Sequence, residues 1–136
     1  MTGGFIPVVA GALVGQNGRW LMHRRPLEKH HGGLWEFPGG KVESEENPRH
    51  ALIRELHEEL GIRIEREHCV PIGFAEETAV EAKKPIVILL YKVTLWEGEP
   101  AALEGEAIDW FTADQIAELD KPPLDCELAA QLFGSR

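Results

Sequence analysis

The segment GKVESEENPRHALIRELHEELGI, residues 40–62, places a glycine-led loop directly before a sharply bounded helix. Asn47 is a good N-cap residue, Pro48 suits the first helical position, and Gly61 suits the left-handed residue that ends a helix. The apolar stripe of this helix recurs at a spacing of four residues, at Leu52, Leu56 and Leu60. One apolar face between two clear caps predicts a helix that packs against a sheet.

The other notable feature of the helix is an acidic edge. Positions three and four apart share a helical face, so Glu55 lies beside both Glu58 and Glu59. Most charge-rich helices simply expose such side chains to water. Here Arg54 precedes Glu58 by four residues and can brace it, and Lys41 lies in the glycine loop just upstream. Clustered carboxylates select hard cations such as Mg²⁺ or Mn²⁺ rather than zinc. The alternative to a solvent-exposed face is therefore a site for such a cation.

Composition limits the class of protein. The 136 residues are about one domain's worth, and we expect a single domain over residues 1–136. The formal net charge of −9 argues against binding of polymeric DNA or RNA, although bound cations could still attract a small phosphorylated ligand. Cys69 and Cys126 form no CxxC pair, which predicts free thiols and a cytoplasmic protein. The apolar run near the N-terminus is too short to span a membrane, and we expect no membrane association.

Strands and helices are predicted along the rest of the chain. Residues 5–14 and 19–25 are expected to be strands joined by a hairpin-like turn, and residues 35–43 a short strand interrupted by Pro38. The remaining expected elements are strands at 69–78, 85–96 and 107–111 and helices at 112–120 and 122–134. Strands and helices without regular alternation predict an α+β layered sandwich with a mixed sheet.

The segment over residues 40–62 also resembles the Nudix box. Every defined position of that pattern is filled, in the order Gly40, Glu46, Arg54, Glu55, Leu56, Glu58, Glu59, Gly61 and Ile62. Segments 35–41, 96–100 and 121–128 are similar to the MutT branch of the family. The resemblance implies the Nudix fold, an α/β/α sandwich with a central mixed β-sheet. It also implies hydrolysis of a nucleoside triphosphate to nucleoside monophosphate and pyrophosphate, with Mg²⁺ as cofactor and Mn²⁺ as a substitute.

The same resemblance implies roles for individual residues. The metal ligands it implies are Glu55, Glu58, Glu59, Glu104 and the backbone carbonyl of Gly39. Arg54 would orient a glutamate, and the loop and helix would be supported by Gly40, Glu46 and Gly61. The division of roles among the glutamates stays open, because coordinated carboxylates share charge and proton affinity.

Four residues are candidates for substrate binding. Lys41 and Arg25 are expected to contact phosphate, although Arg25 could equally be an exposed arginine at a strand end. Phe37 could stack on a nucleobase or pack in the core. Asp125 matches the position at which MutT-type enzymes read the base, and its alternative role is a charge at a helix N-terminus.

The sequence leaves two possibilities for the nucleobase of the substrate. An ionised Asp125 offers only acceptors, which suits the N1–H and amino group of guanine and favours 8-oxo-dGTP. Aspartate at this position also resembles relatives that act on cytidine nucleotides, which favours CTP or 5-methyl-dCTP. The region around Glu81 lacks the aromatic residue expected for purine stacking. A non-catalytic Nudix-like recognition module is the alternative from another class, and the oligomeric state, monomer or homodimer, stays open.

Overall fold

The computed structural model describes residues 3–78 and 83–134 of the chain. The prediction made around Glu81 therefore lies outside the described residues. The described elements are β1 Ile6–Leu13, β2 Trp20–Arg24, β3 Trp35–Glu36, β4 Gly39–Lys41, α1 Pro48–Leu60, a 3-10 turn Arg66–His68, β5 Cys69–Glu76, β6 Ile86–Val93, β7 Ala107–Phe111, α2 Ala113–Glu118 and α3 Pro123–Phe133.

The strands form two sheets. One has the order β4-β1-β6-β5, and the other has the order β3-β2-β7. In the four-stranded sheet β1 runs parallel to β6, whereas the β1–β4 and β5–β6 pairs are antiparallel. The predicted α+β class with a mixed sheet is confirmed.

The hairpin-like turn predicted between the first two strands is present, with a hydrogen bond of 3.0 Å from the Gly15 N–H to the Arg19 carbonyl, but the two strands do not form a ladder. β1 and β2 share only an isolated bridge between Val14 and Trp20 and then enter different sheets. The physical reason is that β4 and β6 occupy both edges of β1, which leaves no free edge for β2. The chain does turn between them, with Gly18 at a φ of 77°.

The predicted single strand over residues 35–43 is two strands, one in each sheet. Pro38 separates β3 from β4, because its missing N–H cannot take part in a sheet ladder. Its carbonyl instead accepts a hydrogen bond of 2.8 Å from the backbone N–H of Gly11 in β1. This crossing places residues 36–41 at the junction of the two sheets, where the candidate site lies.

Helix α1 begins and ends at the expected residues. The Asn47 side chain accepts a hydrogen bond from the N–H of His50, and Gly61 ends the helix at a φ of 75°. The three leucines of its stripe are fully buried. A Cβ added to Gly11 of β1 would come within 3.0 Å of Leu56, so α1 packs directly on the backbone of that strand. This close packing fixes the position of the acidic edge.

Two apolar clusters complete the layers. One joins α1 to β1 and to residues of β6 such as Tyr91 and Val93. The other joins α2 and α3 to β1 and β6 through residues such as Ile116 and Leu128. The predicted capping box at the start of α2, Thr112 with Gln115, is present. Among the described residues, no helix is both long enough and apolar enough to cross a membrane.

Candidate active site

The acidic edge of α1 faces strand β4. A Cβ added to Gly40 would overlap the carboxyl group of Glu55, so only glycine lets this carboxylate rest on the β4 backbone. The loop before β7 closes the far end of the edge. The N–H groups of Ala101 and Leu103 donate hydrogen bonds of 3.0 Å each to the carbonyls of Leu60 and Glu59 at the end of α1. The carbonyls that α1 leaves unpaired thus hold this loop in place.

Arg54 links the acidic side chains to one another. Its guanidinium donates hydrogen bonds to both carboxylate oxygens of Glu46, at 2.8 and 2.9 Å. It also donates to Glu55 at 3.0 Å, to Glu58 at 3.4 Å and to the carbonyl of Lys41 at 3.0 Å. The hydrogen bonds from Arg54, followed by one from the backbone N–H of Glu43, lower the pKa of Glu46 to about 2. Because both oxygens of the Glu46 carboxylate are paired with the Arg54 guanidinium, the orientation of the guanidinium is fixed as well as its distance.

Two glutamates of the edge are held in an environment that opposes their charge. Burial raises the pKa of Glu55, and the charges of Glu58 and Glu104 add to the effect, against the hydrogen bond from Arg54. Burial, followed by the charges of Glu55, Glu36 and Glu104, raises the pKa of Glu59 to about 9, against a hydrogen bond from the Gly39 backbone. The exposed Glu104 directly follows Leu103, whose N–H bonds to the Glu59 carbonyl, and its charge acts on both groups.

These residues fit a divalent cation. Oxygen Oε2 of Glu59 is buried without a hydrogen-bond partner, and the negative charges of Glu55, Glu36 and Glu104 act on its carboxyl group. Among residues 3–78 and 83–134, however, no three His, Cys, Asp or Glu side chains converge on one point. Mg²⁺ is commonly bound by one or two carboxylates together with water and phosphate oxygens. The arrangement therefore suits ions that are held jointly by the protein and a polyphosphate.

A cavity of about 620 Å³ adjoins the cluster at β4. It brings together all four predicted substrate residues and the predicted glycine ligand: Arg25, Phe37, Gly39, Lys41 and Asp125. Residues 76–78 at the end of β5 and Ile86 and Ile88 of β6 also line it. The cavity is thus bounded both by β4, against which Glu55 rests, and by the start of α3.

The environments of the four predicted substrate residues differ. Lys41 is exposed. Arg25 is not a loose strand-end side chain, because it pairs with Glu36 at 2.9 Å and donates to the carbonyl of His30 at 2.8 Å. Phe37 is only 3% exposed and belongs to the apolar cluster under α2 and α3. Its backbone N–H donates a hydrogen bond of 3.0 Å to Oδ2 of Asp125.

Asp125 lies in the first turn of α3 and is 4% exposed. Burial raises its pKa to about 7, and the charge of Glu36 acts in the same direction. The hydrogen bond from Phe37 and the charges of Arg25 and Lys121 oppose the rise. Near neutral pH the side chain therefore exchanges between a carboxylate, which only accepts hydrogen bonds, and a carboxylic acid, which can also donate one.

The raised pKa of Asp125 predicts a pH-dependent stability. Between about pH 4 and pH 7 the unfolded chain has lost this proton whereas the folded chain keeps it, so stability falls as pH rises, by up to about 1.4 kcal/mol per pH unit. Asp125→Asn removes this dependence. We would measure the free energy of unfolding in urea at pH 4.5, 5.5 and 6.5. Between the lowest and the highest pH, we expect this free energy to rise by roughly 2 kcal/mol in the variant relative to the wild type. If the free energies of unfolding of the two proteins changed equally with pH, the raised pKa of Asp125 would be contradicted.

Sequence reasoning missed two residues of the site, His23 and Glu36. His23 lies on β2 with 4% exposure, and its Nδ1 is 3.3 Å from Glu36. Its Nε2 is 3.8 Å from Glu59. The only signal in the sequence is a histidine inside an apolar strand, which is more often a core residue than a site residue. Its two carboxylate neighbours come from β3 and α1, so their convergence becomes visible only in three dimensions.

Comparisons with known proteins find similarity over nearly the whole chain. Residues 4–132 match the NUDIX domain family. The chain is 34% identical to the CTP pyrophosphohydrolase of Escherichia coli over 128 residues, which cover 94% of this chain and 92% of that protein. It is 32% identical to the 8-oxo-dGTP diphosphatase of the same organism over 130 residues, covering 93% and 95%. The solution structure of the E. coli ORF135 protein superposes with a TM-score of 0.84 at 30% identity, covering 96% of this chain and 90% of that one.

Proposed function

Because this chain belongs to the NUDIX domain family, we propose that it is a nucleoside triphosphate pyrophosphohydrolase that requires Mg²⁺, for which Mn²⁺ can substitute. Its products would be a nucleoside monophosphate and pyrophosphate. The observation that carries the proposal is that strand β4 lines the cavity of about 620 Å³ and, at Gly40, also contacts Glu55 of the acidic edge. A triphosphate lying along β4 would meet the glutamates, while its base would reach α3.

The acidic side chains divide into proposed ligands and supports. We assign Glu55, Glu58, Glu59, Glu104 and the carbonyl of Gly39 to the ions. When bound, these ions would neutralise the polyphosphate and lower the pKa of an attacking water. Arg54 would aim Glu55 and Glu58, since it hydrogen-bonds both and is itself fixed by Glu46. Buried carboxylates with raised pKa values are typical of sites that bind cations or move protons.

The cavity residues would orient the nucleotide. Lys41 is exposed beside the glutamates and would contact phosphate. Arg25 would do so from the cavity wall, held by Glu36 and the His30 carbonyl. Phe37 contributes less as a stacking surface than as a support, because its ring is buried and its N–H fixes Asp125. Asp125 is then the group that meets the base.

Two substrates are consistent with Asp125. The ionised form accepts hydrogen bonds and suits guanine donors, which supports 8-oxo-dGTP and a role in removing oxidised nucleotides. The protonated form can donate to N3 of cytosine, which supports CTP or 5-methyl-dCTP as the second candidate. The raised pKa of Asp125 supports this second candidate, because it allows the protonated form near neutral pH. The similarity to a protein named CTP pyrophosphohydrolase supports it as well.

The non-catalytic alternative, a nucleotide-recognition module, is less well supported, because the glutamates of the box are all present. We further propose that the protein acts in the cytoplasm on a small nucleotide, as a monomer or homodimer, without polymeric nucleic acid as a partner. The net charge of −9 supports this choice.

Product analysis tests the proposed reaction. The protein would be mixed with Mg²⁺ and either 8-oxo-dGTP or CTP, and the products of the reaction would be identified by phosphorus NMR. We expect the signals of a nucleoside monophosphate and pyrophosphate to rise together in equal amounts. Formation of a nucleoside diphosphate and inorganic phosphate, or binding without turnover of any nucleotide, would contradict it.

Gly40→Ala tests the contact between β4 and Glu55. The added methyl group would overlap the Glu55 carboxyl group and displace it. Misplacing a catalytic group by about 1 Å can cost about 100-fold in rate, and we expect a loss of kcat of that size. Gly3→Ala is the matched control, because an added Cβ there meets no atom within 4 Å. Equal kcat values for the two variants would show that the position of Glu55 does not matter.

A further inference from the structure

Two buried polar atoms in the described part of the chain lack a hydrogen-bond partner, and they belong to neighbouring side chains. They are Nε2 of His23 and Oε2 of Glu59. The two residues are only 4% and 6% exposed, and Nε2 lies 3.8 Å from the other carboxylate oxygen of Glu59. Because buried polar atoms are almost always paired, two unpaired ones side by side indicate a ligand between them.

The hydrogen bonding around His23 determines what kind of ligand this is. Its Nδ1 lies 3.3 Å from Oε2 of Glu36, and the other oxygen of Glu36 accepts a hydrogen bond from Arg25 at 2.9 Å. A carboxylate can only accept, so the hydrogen bond to Glu36 places a hydrogen on Nδ1, and a ring with this single hydrogen has its lone pair on Nε2. A histidine that donates from one nitrogen to a carboxylate presents the other as metal-bound histidines do.

The surroundings of Nε2 favour a cation over a further hydrogen bond. Once Glu59 is ionised, as binding of a cation requires, Nε2 and the Glu59 carboxylate are both electron-pair donors, and at 3.8 Å they do not bond to each other. Gly105 packs closely against the His23 ring, and any side chain there would overlap Nε2, so only glycine lets this nitrogen hold its position beside Glu59. The adjacent Glu104 contributes negative charge that reaches Glu59.

We propose that Nε2 of His23 binds a divalent cation that is shared with Glu59, and that this nitrogen shifts the preference of the site from Mg²⁺ toward Mn²⁺. Carboxylate oxygens suit Mg²⁺ and Mn²⁺ alike, whereas imidazole nitrogen favours the transition metal. The inference rests on the proposed metal dependence of the enzyme and adds a ligand that lies outside the glutamate-rich segment.

Electron spin-echo spectroscopy of the Mn²⁺-loaded protein tests the nitrogen directly. We expect modulation from a coupled ¹⁴N nucleus, which changes to the ¹⁵N pattern when the chain is made with ¹⁵N-labelled histidine. His23→Ala should abolish this modulation and raise the Kd for Mn²⁺ about tenfold, while the Kd for Mg²⁺ changes by less than about threefold. His57→Ala is the matched control, because His57 is exposed on the same helix as the glutamates. It should change neither the modulation nor either Kd.

Gly105→Ala keeps the test decisive if the buried His23→Ala variant does not fold. The added methyl group would overlap the His23 ring and displace Nε2 without removing any proposed ligand, and it should also eliminate the ¹⁴N modulation. Mn²⁺ that binds to the wild type without any coupled histidine nitrogen would overturn this inference and leave the proposed function intact. Failure of the wild type to bind Mn²⁺, with or without nucleotide, would overturn both.

Discussion

Glu58→Gln is expected to lower kcat about 1000-fold while the fold is unchanged. Glutamine keeps the shape of the side chain but loses the charge that holds a cation. The stabilisation that metal ions give a phosphoryl transition state is several kcal/mol, and about 4 kcal/mol corresponds to this loss. The fold should survive because the Glu58 side chain is 48% exposed and its ion pair with Arg54 is long, at 3.4 Å.

Glu118→Gln provides the charge-matched control for this experiment. Glu118 is exposed at the end of α2, away from the acidic edge of α1. Both variants would be compared with the wild type by pyrophosphate release and by urea unfolding. A Glu58→Gln variant that turns over like Glu118→Gln would remove Glu58 from the proposed set of ligands.

Asp125→Asn is expected to change which nucleotide is preferred while leaving metal dependence intact. Oxygen Oδ2 of Asp125 is already engaged by the N–H of Phe37. Asparagine would keep its oxygen in that hydrogen bond and turn its NH₂ group toward the cavity. An acceptor facing the base is thereby replaced by a donor.

The size of this change follows from the cost of a mismatched hydrogen bond. Placing a donor against the guanine N1–H would cost about 1.5–3 kcal/mol, which is roughly 10- to 150-fold in kcat/KM. We expect the ratio of kcat/KM for 8-oxo-dGTP to that for CTP to fall by this factor at pH 8. An equal loss on every nucleotide would contradict a role for Asp125 in reading the base.

The pH dependence gives an independent measure of the same contact. Because the pKa of Asp125 is raised to about 7, the wild-type preference should move toward CTP as pH falls from 8 to 6. Asparagine does not titrate, so the ratio should be constant in the variant. This comparison separates base reading from a general effect of pH on the metal site, which would affect both proteins.

Local signals explain why helix α1 was predictable. Asn47, Pro48 and Gly61 each act within a few residues of their own position, and the leucine spacing identifies the buried face without knowledge of the partner. The acidic edge then follows from helical geometry alone. Assigning Glu104 to the same cluster required the family resemblance, because a long loop brings it to α1.

Features that depend on competition between distant segments were not predictable. The turn after β1 is visible in the sequence, but the separation of β1 and β2 into different sheets depends on β4 and β6 occupying both edges of β1. His23 illustrates the same limit at the site, since its neighbours Glu36 and Glu59 belong to two other elements. The raised pKa of Asp125 likewise depends on its burial beneath residues far away in the chain.

Pyrophosphate release by the wild-type protein, with Mg²⁺ and after its removal by EDTA, tests the central claim most directly. The substrates would be 8-oxo-dGTP, dGTP, CTP and 5-methyl-dCTP. We expect turnover of at least one nucleotide with Mg²⁺, its loss in EDTA, and its recovery when Mg²⁺ or Mn²⁺ is restored. No turnover of any of the four, or turnover that persists in EDTA and is equal in Glu58→Gln, would contradict the proposed enzyme.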